Sequence, residues 1–511
     1  MQILLIFLSV FFSCLSTCIM SYLAMSTQLG PWVAPVFVVV CMVLAMPLVS
    51  RSWFREHVII TIAAGSIGGM VGTCLGLTWP SFYFLHEHAF IESMKSPMIF
   101  AGTISLFVLS AGILAFLIAY LIKDHLIIEH KLPFPMSRLV HNIVYIDKEK
   151  SSQAMMTQGI VASTAWNIFL LAQRMWLHPY ALQLHMIPML ISIGFVAGRL
   201  STVPLLVGMT SRKLVLYGLR NNFFVGYSDK EFIIRFCSGV LLALFLSRLV
   251  LLFKQRRHLL ATSDFFTVFM RLYKRRFLRI FFVASIICSI LLLHAWNVSW
   301  FSQIYVFIIL LFLCYNAAYM VGVVGVIELG LFVWLIVLPL VDIYTVASTS
   351  VVAVAVFSMI CIGLLIDLMF SCKLASLSQI AYSKIVRYQI LGFVVAVICS
   401  GFIMWWYAHT LQLGSTSLMA QSAQGFDLMI QVGQYSHRVV LCGVLFGLVL
   451  RRVVSEPFTV IGSMLMSTSI TFWLVLAGAF SYFIKKDEKY YPFWFGVYAS
   501  HALWMMILAF V

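Results

Sequence analysis

Residues 3–25 read ILLIFLSVFFSCLSTCIMSYLAM, a run without a single charged side chain. Two further runs, 343–366 and 457–484, are at least as long and also uncharged. A helix needs about 20 consecutive apolar residues to cross the hydrocarbon core of a bilayer. A single lipid-exposed strand would leave its backbone N–H and C=O groups without partners, so these runs predict membrane-spanning helices.

The composition of the whole chain agrees with that reading. Hydrophobic residues make up 63% of the 511 positions and charged residues only 10%, more apolar surface than a water-soluble core can absorb. The net charge of +16 comes from Lys and Arg in short segments between apolar runs, which is a signal for membrane topology, so nucleic acid is not expected as a partner. The 11 cysteines are scattered without zinc-site spacing, so neither a disulfide framework nor a metal site is expected.

Counting the apolar runs predicts an all-α, polytopic helical bundle with about 13 to 16 passes. The whole chain, 1–511, is expected to form one transmembrane domain. Two halves, roughly 1–253 and 280–511, would be joined by a basic cytoplasmic loop at 254–279, and they allow for an internal repeat. The runs are 3–25, 31–49, 57–85, 98–122, 154–173, 181–209, 234–253, 280–297, 303–325, 327–342, 343–366, 386–408, 438–450, 457–484 and 493–511.

The distribution of basic residues predicts the topology. Basic residues follow the second and fourth runs, whereas the loop at 86–96 carries more acid than base, which places the N-terminus and the loop 123–153 in the cytoplasm. The first run lacks the basic start of a cleaved signal and is read as an uncleaved span. We expect a multi-pass protein of the plasma membrane or the bacterial inner membrane.

Strict alternation of sides fails between 181 and 253, because basic segments on both sides of one apolar run should be cytoplasmic. A re-entrant or broken segment would restore the count, and Pro188 and Pro204 supply means to interrupt a helix. Arg199 lies in this region between glycines and prolines. It could bind a carboxylate of a substrate near broken-helix ends, or it could be the buried partner of an acidic residue.

Ionisable side chains inside apolar runs are costly and are therefore functional candidates. Glu328 follows the glycine-rich VGVVG at 321–325, and Asp367 closes another apolar run. Either carboxylate could bind and release a proton during a transport cycle. For Glu328, a structural ion pair or a helix end in contact with water is the alternative.

The segment GSIGGMVGTCLG at 65–76 places Gly68, Gly72 and Gly76 on one face of a helix. Such a face permits close packing of a neighbouring helix, and a glycine-lined substrate path is the alternative. The chain contains no recognisable catalytic triad, HExxH or phosphate-binding motif in a suitable context, so an enzyme is not expected.

Four segments, in the same order along the chain, resemble the oligopeptide transporter family, which includes the yellow-stripe-like metal-chelate carriers and bacterial members. The chain also departs from the family pattern: Met369 and Ser371 stand where a lysine and a glycine are expected, and YNAAYMVGVVGVIELG keeps Asn316 and the glycines but lacks a proline. The similar segments are KLPFP at 131–135 (Lys131, Leu132, Pro133, Phe134, Pro135), MLISIGFVAGRLSTVPLLVG at 189–208, DLMFSCKLAS at 367–376 with RYQILG at 387–392, and the C-terminal run from Met419 through LCGVLFGLVLRR at 441–452.

The resemblance implies a secondary active transporter that takes up small peptides or peptide-like metal chelates with protons by alternating access. It implies substrate or coupling roles for Arg199, Asn316, Glu328 and Asp367, with the proton gradient as energy source and no bound cofactor. The lipid bilayer is the expected surrounding partner, and the oligomeric state is open. A membrane-embedded lipid-modifying enzyme or a lipid flippase-like protein, using the basic loop for anionic headgroups, is the alternative.

Overall fold

Helices are the only regular structure in the part of the chain that the computed structural model describes, which confirms the predicted all-α class. The described residues are 2–26, 51–145, 150–176, 188–254, 276–325, 327, 329–342, 346–411, 413–414, 418, 420, 423–424, 437–454, 457–466, 468–483 and 487–508. The predicted run at 31–49, most of the basic loop 254–279 and Glu328 lie outside them.

The helices follow one another with short connections. In the first part of the chain they are α1 (Gln2–Ser26), α2 (Arg51–Thr78), α3 (Ser81–Leu85), α4 (Glu87–Met94), α5 (Pro97–Asp124), a π-helix (His125–Glu129), α6 (Pro135–Val144), α7 (Lys150–Trp176), α8 (Pro188–Ala197), α9 (Arg199–Val215), a second π-helix (Leu216–Arg220), α10 (Asn221–Phe223) and α11 (Asp229–Lys254). In the second part they are α12 (Arg276–Ala295), α13 (Trp300–Val324), α14 (Leu329–Asp342), α15 (Ser348–Leu377), α16 (Tyr382–Thr410), α17 (His437–Val453), α18 (Pro457–Leu465), α19 (Thr468–Phe483), a 3₁₀-helix (Asp487–Tyr490) and α20 (Tyr491–Leu508).

Six segments within the described residues are helical, long and apolar enough to cross a membrane. Their apolar side chains face both lipid and one another, as expected of a membrane bundle. The predicted total of about 13 to 16 passes stays a prediction, because part of the chain is not described. The six are Ile3–Ser26, Arg55–Leu85, Pro97–Glu129, Trp300–Val324, Ser348–Leu377 and Tyr382–Thr410.

Helix α15 lies at the centre of one group of helices, and its most apolar stretch is completely buried. It packs against α2 and α5 from the first part of the chain and against α13 and α14 from the second. A helix that is apolar all round has no face suited to water, which is why this one occupies the interior. Asp367, near its C-terminal end, is therefore a carboxylate within an apolar core.

A second group of helices is built mainly by pairwise packing. Within it α7 packs against α20, α8 against α19, α9 against α18, and α11 against α17. Each of these pairs joins a helix from before residue 254 with one from after residue 276. The two predicted segments of the chain thus interleave within both groups.

The break expected between 181 and 253 is present, but its position differs from the prediction. Pro188 begins α8 and Pro204 lies inside α9, so neither proline interrupts a helix. The chain instead breaks at Gly198, with φ 63° and ψ −147°, a conformation that side chains with a Cβ rarely adopt. The prolines are tolerated because one stands at a first helical position and the other lies within a bundle that can satisfy the freed backbone group.

The run 457–484, predicted as one continuous helix, is wrong in that respect. It forms two helices, α18 ending at Leu465 and α19 beginning at Thr468. The polar stretch Ser467, Thr468 and Ser469 marks the position in the sequence, since hydroxyl side chains compete with the helix for backbone hydrogen bonds.

Candidate functional site

The KLPFP segment forms a tight, non-helical connection between the first π-helix and α6. Lys131 and Phe134 both adopt positive φ, 50° and 45°, which is uncommon for residues with side chains. The Phe134 N–H donates a hydrogen bond to the Gly322 carbonyl oxygen at 2.8 Å, and the Leu132 N–H donates to the Leu126 carbonyl oxygen at 3.1 Å. These bonds to two separate helices hold the strained backbone in place.

This connection packs directly on the C-terminal end of α13. A Cβ added to Gly322 would lie 2.7 Å from Leu132 Cδ1 and 3.2 Å from Phe134 Cε2, so only glycine fits there. Gly325 ends the helix in the left-handed conformation, at φ 91°, beside Pro135. The structure therefore brings together two segments that the sequence singled out independently, KLPFP and the glycine-rich 321–325.

Helix α6 continues from this connection along the C-terminal half of α15. The Phe134 ring meets the Phe370 ring edge-on at 6.3 Å, and Ser137 Oγ donates to the Phe370 carbonyl oxygen at 2.8 Å. One turn further, His141 Nδ1 lies 3.0 Å from Ser378 Oγ. Partial burial lowers the pKa of His141 below its ordinary value of 6.5, because the charged ring loses hydration.

Asp367 is fully buried on α15, with an exposed fraction of 0%. Ser66 Oγ on α2 donates a hydrogen bond to Asp367 Oδ2 at 2.9 Å. Ser66 belongs to the glycine-rich segment 65–76, so this segment supplies a polar group to the carboxylate from one face. A carboxylate in an apolar interior is expensive and is retained for structural specificity or for function.

The three glycines of the same segment serve helix packing, which confirms the first of the two interpretations for that face. A Cβ at Gly68 would lie 2.2 Å from the Ser13 carbonyl oxygen, and Gly72 and Gly76 meet backbone atoms of Thr17 and Ser21 equally closely. Helices α1 and α2 thus touch backbone to backbone, as small residues at regular spacing allow.

The remaining predicted residues are placed as follows. Asn316 on α13 is buried; its Nδ2 donates to the Phe312 carbonyl oxygen at 2.6 Å, and its Oδ1 accepts no hydrogen bond from the described residues. Arg199 is the first residue of α9, directly after the break at Gly198, and the direction of its side chain is not described. Asn316 and Asp367 lie on neighbouring helices, because α13 packs against α15.

A polar group that the sequence reading missed lies between α5 and KLPFP. His125 Nδ1 lies 2.5 Å from Glu129 Oε2, and His125 Nε2 lies 3.0 Å from His130 Nε2. The His125 ring also stacks over the Tyr315 ring, with centroids 6.2 Å apart, one residue before Asn316. The signal was present in the sequence as HLIIEH, but in a regular α-helix residues five apart point in different directions.

The π-helix explains why the two rings meet. Its backbone bonds join residues five apart, and the His130 N–H donates to the His125 carbonyl oxygen at 2.9 Å. This register places His130 directly over His125, with ring centroids 4.5 Å apart and the planes nearly perpendicular. Among the described residues, no set of three or more metal-ligating side chains is arranged to hold an ion.

No protein-family model matches the chain, and a search of curated proteins finds no similar sequence.

Proposed function

We propose that the chain is a secondary active transporter that moves small peptides or peptide-like metal chelates together with protons, as a divergent relative of the oligopeptide transporters. It would lie in the plasma membrane or the bacterial inner membrane with its N-terminus in the cytoplasm. The proposal combines the order of the four similar segments with the placement of polar groups among helices long enough to span a membrane.

The observation that carries the proposal is the carboxylate of Asp367 in the dry interior between α2 and α15. A carboxylate at such a depth is stable when protonated or closely partnered, so movement of the two helices would change its affinity for a proton. That is the property required of a group that couples proton movement to substrate movement.

Two further features support the proposal. The helix break at Gly198, with Arg199 at the first position of α9, resembles the discontinuous helices that line substrate sites in secondary transporters. The buried Asn316 Oδ1 offers an acceptor on a spanning helix. Glu328, beside the end of α13, stays a second candidate for the coupled carboxylate.

The experiment uses full-length protein in proteoliposomes and labelled di- to tetrapeptides and chelates, with and without an imposed proton gradient. We expect accumulation only with the gradient. Asp367→Asn, which keeps the size of the side chain and its ability to accept from Ser66, should abolish accumulation and leave exchange of substrate across the membrane largely intact.

A matched control is Glu56→Gln, since the Glu56 carboxylate is half-exposed in an ion pair with Lys384 Nζ at 2.7 Å. Gradient-independent uptake, or no uptake over the whole panel, would contradict the proposal. Transfer of labelled lipid between leaflets in the same vesicles would instead support the lipid flippase-like alternative.

A further inference from the structure

We propose that His125 and His130 form one proton-binding site at the end of α5, stabilised by Glu129, which passes a proton from the exposed side of His130 to the buried side of His125. Proton binding by the pair stands by itself. Its role as the entry point of the coupled proton rests on the proposed function.

The hydrogen bonds define how a proton would be held. In the neutral pair, His125 Nδ1–H donates to the Glu129 carboxylate, so His125 Nε2 carries a lone pair and accepts from His130 Nε2–H. This arrangement uses one tautomer of each ring. A second proton on both facing nitrogens would place two N–H groups 3.0 Å apart, which is repulsive, so the pair binds one proton and resists another.

The transfer step is balanced without any further reactant. A proton from water adds to His130 Nδ1, and the proton on His130 Nε2 moves to His125 Nε2. His130 is then neutral again with its proton on the other nitrogen, and His125 is an imidazolium. Glu129 stabilises that cation through a charge-assisted hydrogen bond at 2.5 Å.

The burial of the three side chains forms a gradient in the right direction. His130 is exposed, the Glu129 side chain is 45% exposed, and His125 is only 4% exposed. His125 faces Tyr315, and the next residue is Asn316 with its unsatisfied Oδ1. The pair therefore links the surface at the end of a spanning helix to a polar atom on the buried α13.

The charged and titratable groups around the pair leave Glu129 as its acidic partner. On α13, Tyr315 faces His125 and Tyr319 faces His130. On α5, Asp124 pairs with Lys123 at 3.1 Å, and the Lys123 ammonium lies over the Tyr382 ring of α16. Helices α6 and α15 contribute Arg138 and Lys373, whose like charges face each other, and Lys131 follows His130 in the chain.

The location fits a proton entry. The apolar segment Pro97–Glu129 is 33 residues long, well beyond the roughly 20 that cross the hydrocarbon, so its last turn reaches the bilayer surface. The next residues form KLPFP, which is bonded to α13 at Gly322. A change of charge at the pair thus occurs beside the contact that joins this connection to a spanning helix.

The first experiment measures proton binding without reference to transport. Full-length protein with ¹⁵N-labelled histidine is placed in lipid bilayers, and the ring-nitrogen signals are followed by solid-state NMR as pH is lowered. We expect the two rings to change together in one step that takes up one proton per pair. In His130→Gln, whose side chain is exposed, His125 should change alone and over a different pH range.

His88→Gln, an exposed histidine on α4, is the matched control and should leave the signals of the pair unchanged. Two rings that titrate independently, each unaffected by loss of the other, would overturn the site. Size-exclusion profiles of each variant show that it remains folded.

The second experiment tests the entry role in the proteoliposome assay. His125→Gln should lower proton-driven accumulation about tenfold, as expected when a hydrogen bond to a charged group is lost, and should leave substrate exchange intact. Unchanged accumulation together with a shared titration would show that the pair binds a proton but is not its entry point. Absence of transport in the wild type would count against the proposed function alone, because the NMR result does not depend on it.

Discussion

Asp367 and His125 are both buried ionisable side chains, but their surroundings differ. Asp367 is enclosed between α2 and α15 and receives a hydrogen bond from Ser66, itself buried. His125 is connected through Glu129 and His130 to the surface. Both sites lie on elements that pack against α15 or α13, the central helices of the first group.

The difference concerns when each group can exchange a proton. A sealed carboxylate meets water only if the helices around it separate, so its protonation is tied to a conformational change. A hydrogen-bonded chain that ends at the surface can exchange protons while the protein is at rest. The two sites thus suit different steps of one cycle, the sealed one for coupling and the open one for entry.

The largest expected effect comes from breaking the seal around Asp367. Gly68→Leu would force a side chain into the Ser13 backbone and separate α1 from α2, close to Ser66. We expect a loss of about 3 kcal/mol in the free energy of unfolding, at the upper end of the usual cost of overpacking. Thermal unfolding in detergent, followed by size-exclusion chromatography, measures it.

Gly102→Leu is the matched control, because a Cβ at Gly102 meets no atom within 4 Å. An equal loss of stability in both variants would mean that the glycine face does not hold the seal.

An intermediate effect is expected from removing the hydrogen bond to the carboxylate while leaving the packing intact. Ser66→Ala deletes the hydroxyl that donates to Asp367 Oδ2. The carboxylate loses one of its stabilising interactions, so we expect a cost of about 1 to 2 kcal/mol, measured by the same unfolding assay. In the double variant Ser66→Ala with Asp367→Asn, the cost should be smaller, since a neutral amide is less dependent on that donor.

Additive costs in these variants would show that the serine and the carboxylate are not coupled. The sealed site would then owe its stability to other contacts.

The smallest effect concerns His141, a partly buried histidine whose described ring contact is to serine rather than carboxylate. Its pKa is lowered in the folded state, so the unfolded chain binds the extra proton more readily. Stability should therefore fall as pH drops below about 6.5, the ordinary value, and should be insensitive to this group at higher pH. Unfolding temperatures at pH 7.5 and pH 5.5 measure the change.

His141→Gln should reduce that pH dependence slightly, whereas His88→Gln should not. A steeper dependence in His141→Gln would show that protonation of this ring stabilises the folded protein, and it would remove the contrast with the carboxylate-paired His125.

Several features of the site followed from local sequence. KLPFP and the glycines of 321–325 stood out because prolines and glycines impose backbone geometry wherever they occur. Asp367 stood out because a charge in an apolar run is costly in any bilayer protein. Their contacts did not follow, since the bond from Phe134 to Gly322 joins segments almost two hundred residues apart and depends on how the helices pack.

The histidine pair shows the same limit at short range. The residues of HLIIEH are adjacent in the chain, but α-helical spacing would have separated the rings. The π-helix that aligns them is a small change of register, decided by the packing around the end of α5.

The sequence by itself determined that the chain forms an all-α bundle of apolar helices, because long uncharged runs have no other stable form in a bilayer. It also determined where charge would be costly. The tertiary structure alone decided that the chain breaks at Gly198 rather than at a proline, that Ser66 faces Asp367, and that His130 lies over His125. These outcomes depend on which helices touch, and a polar group acquires its partner, its access to water and its chemistry only from that contact.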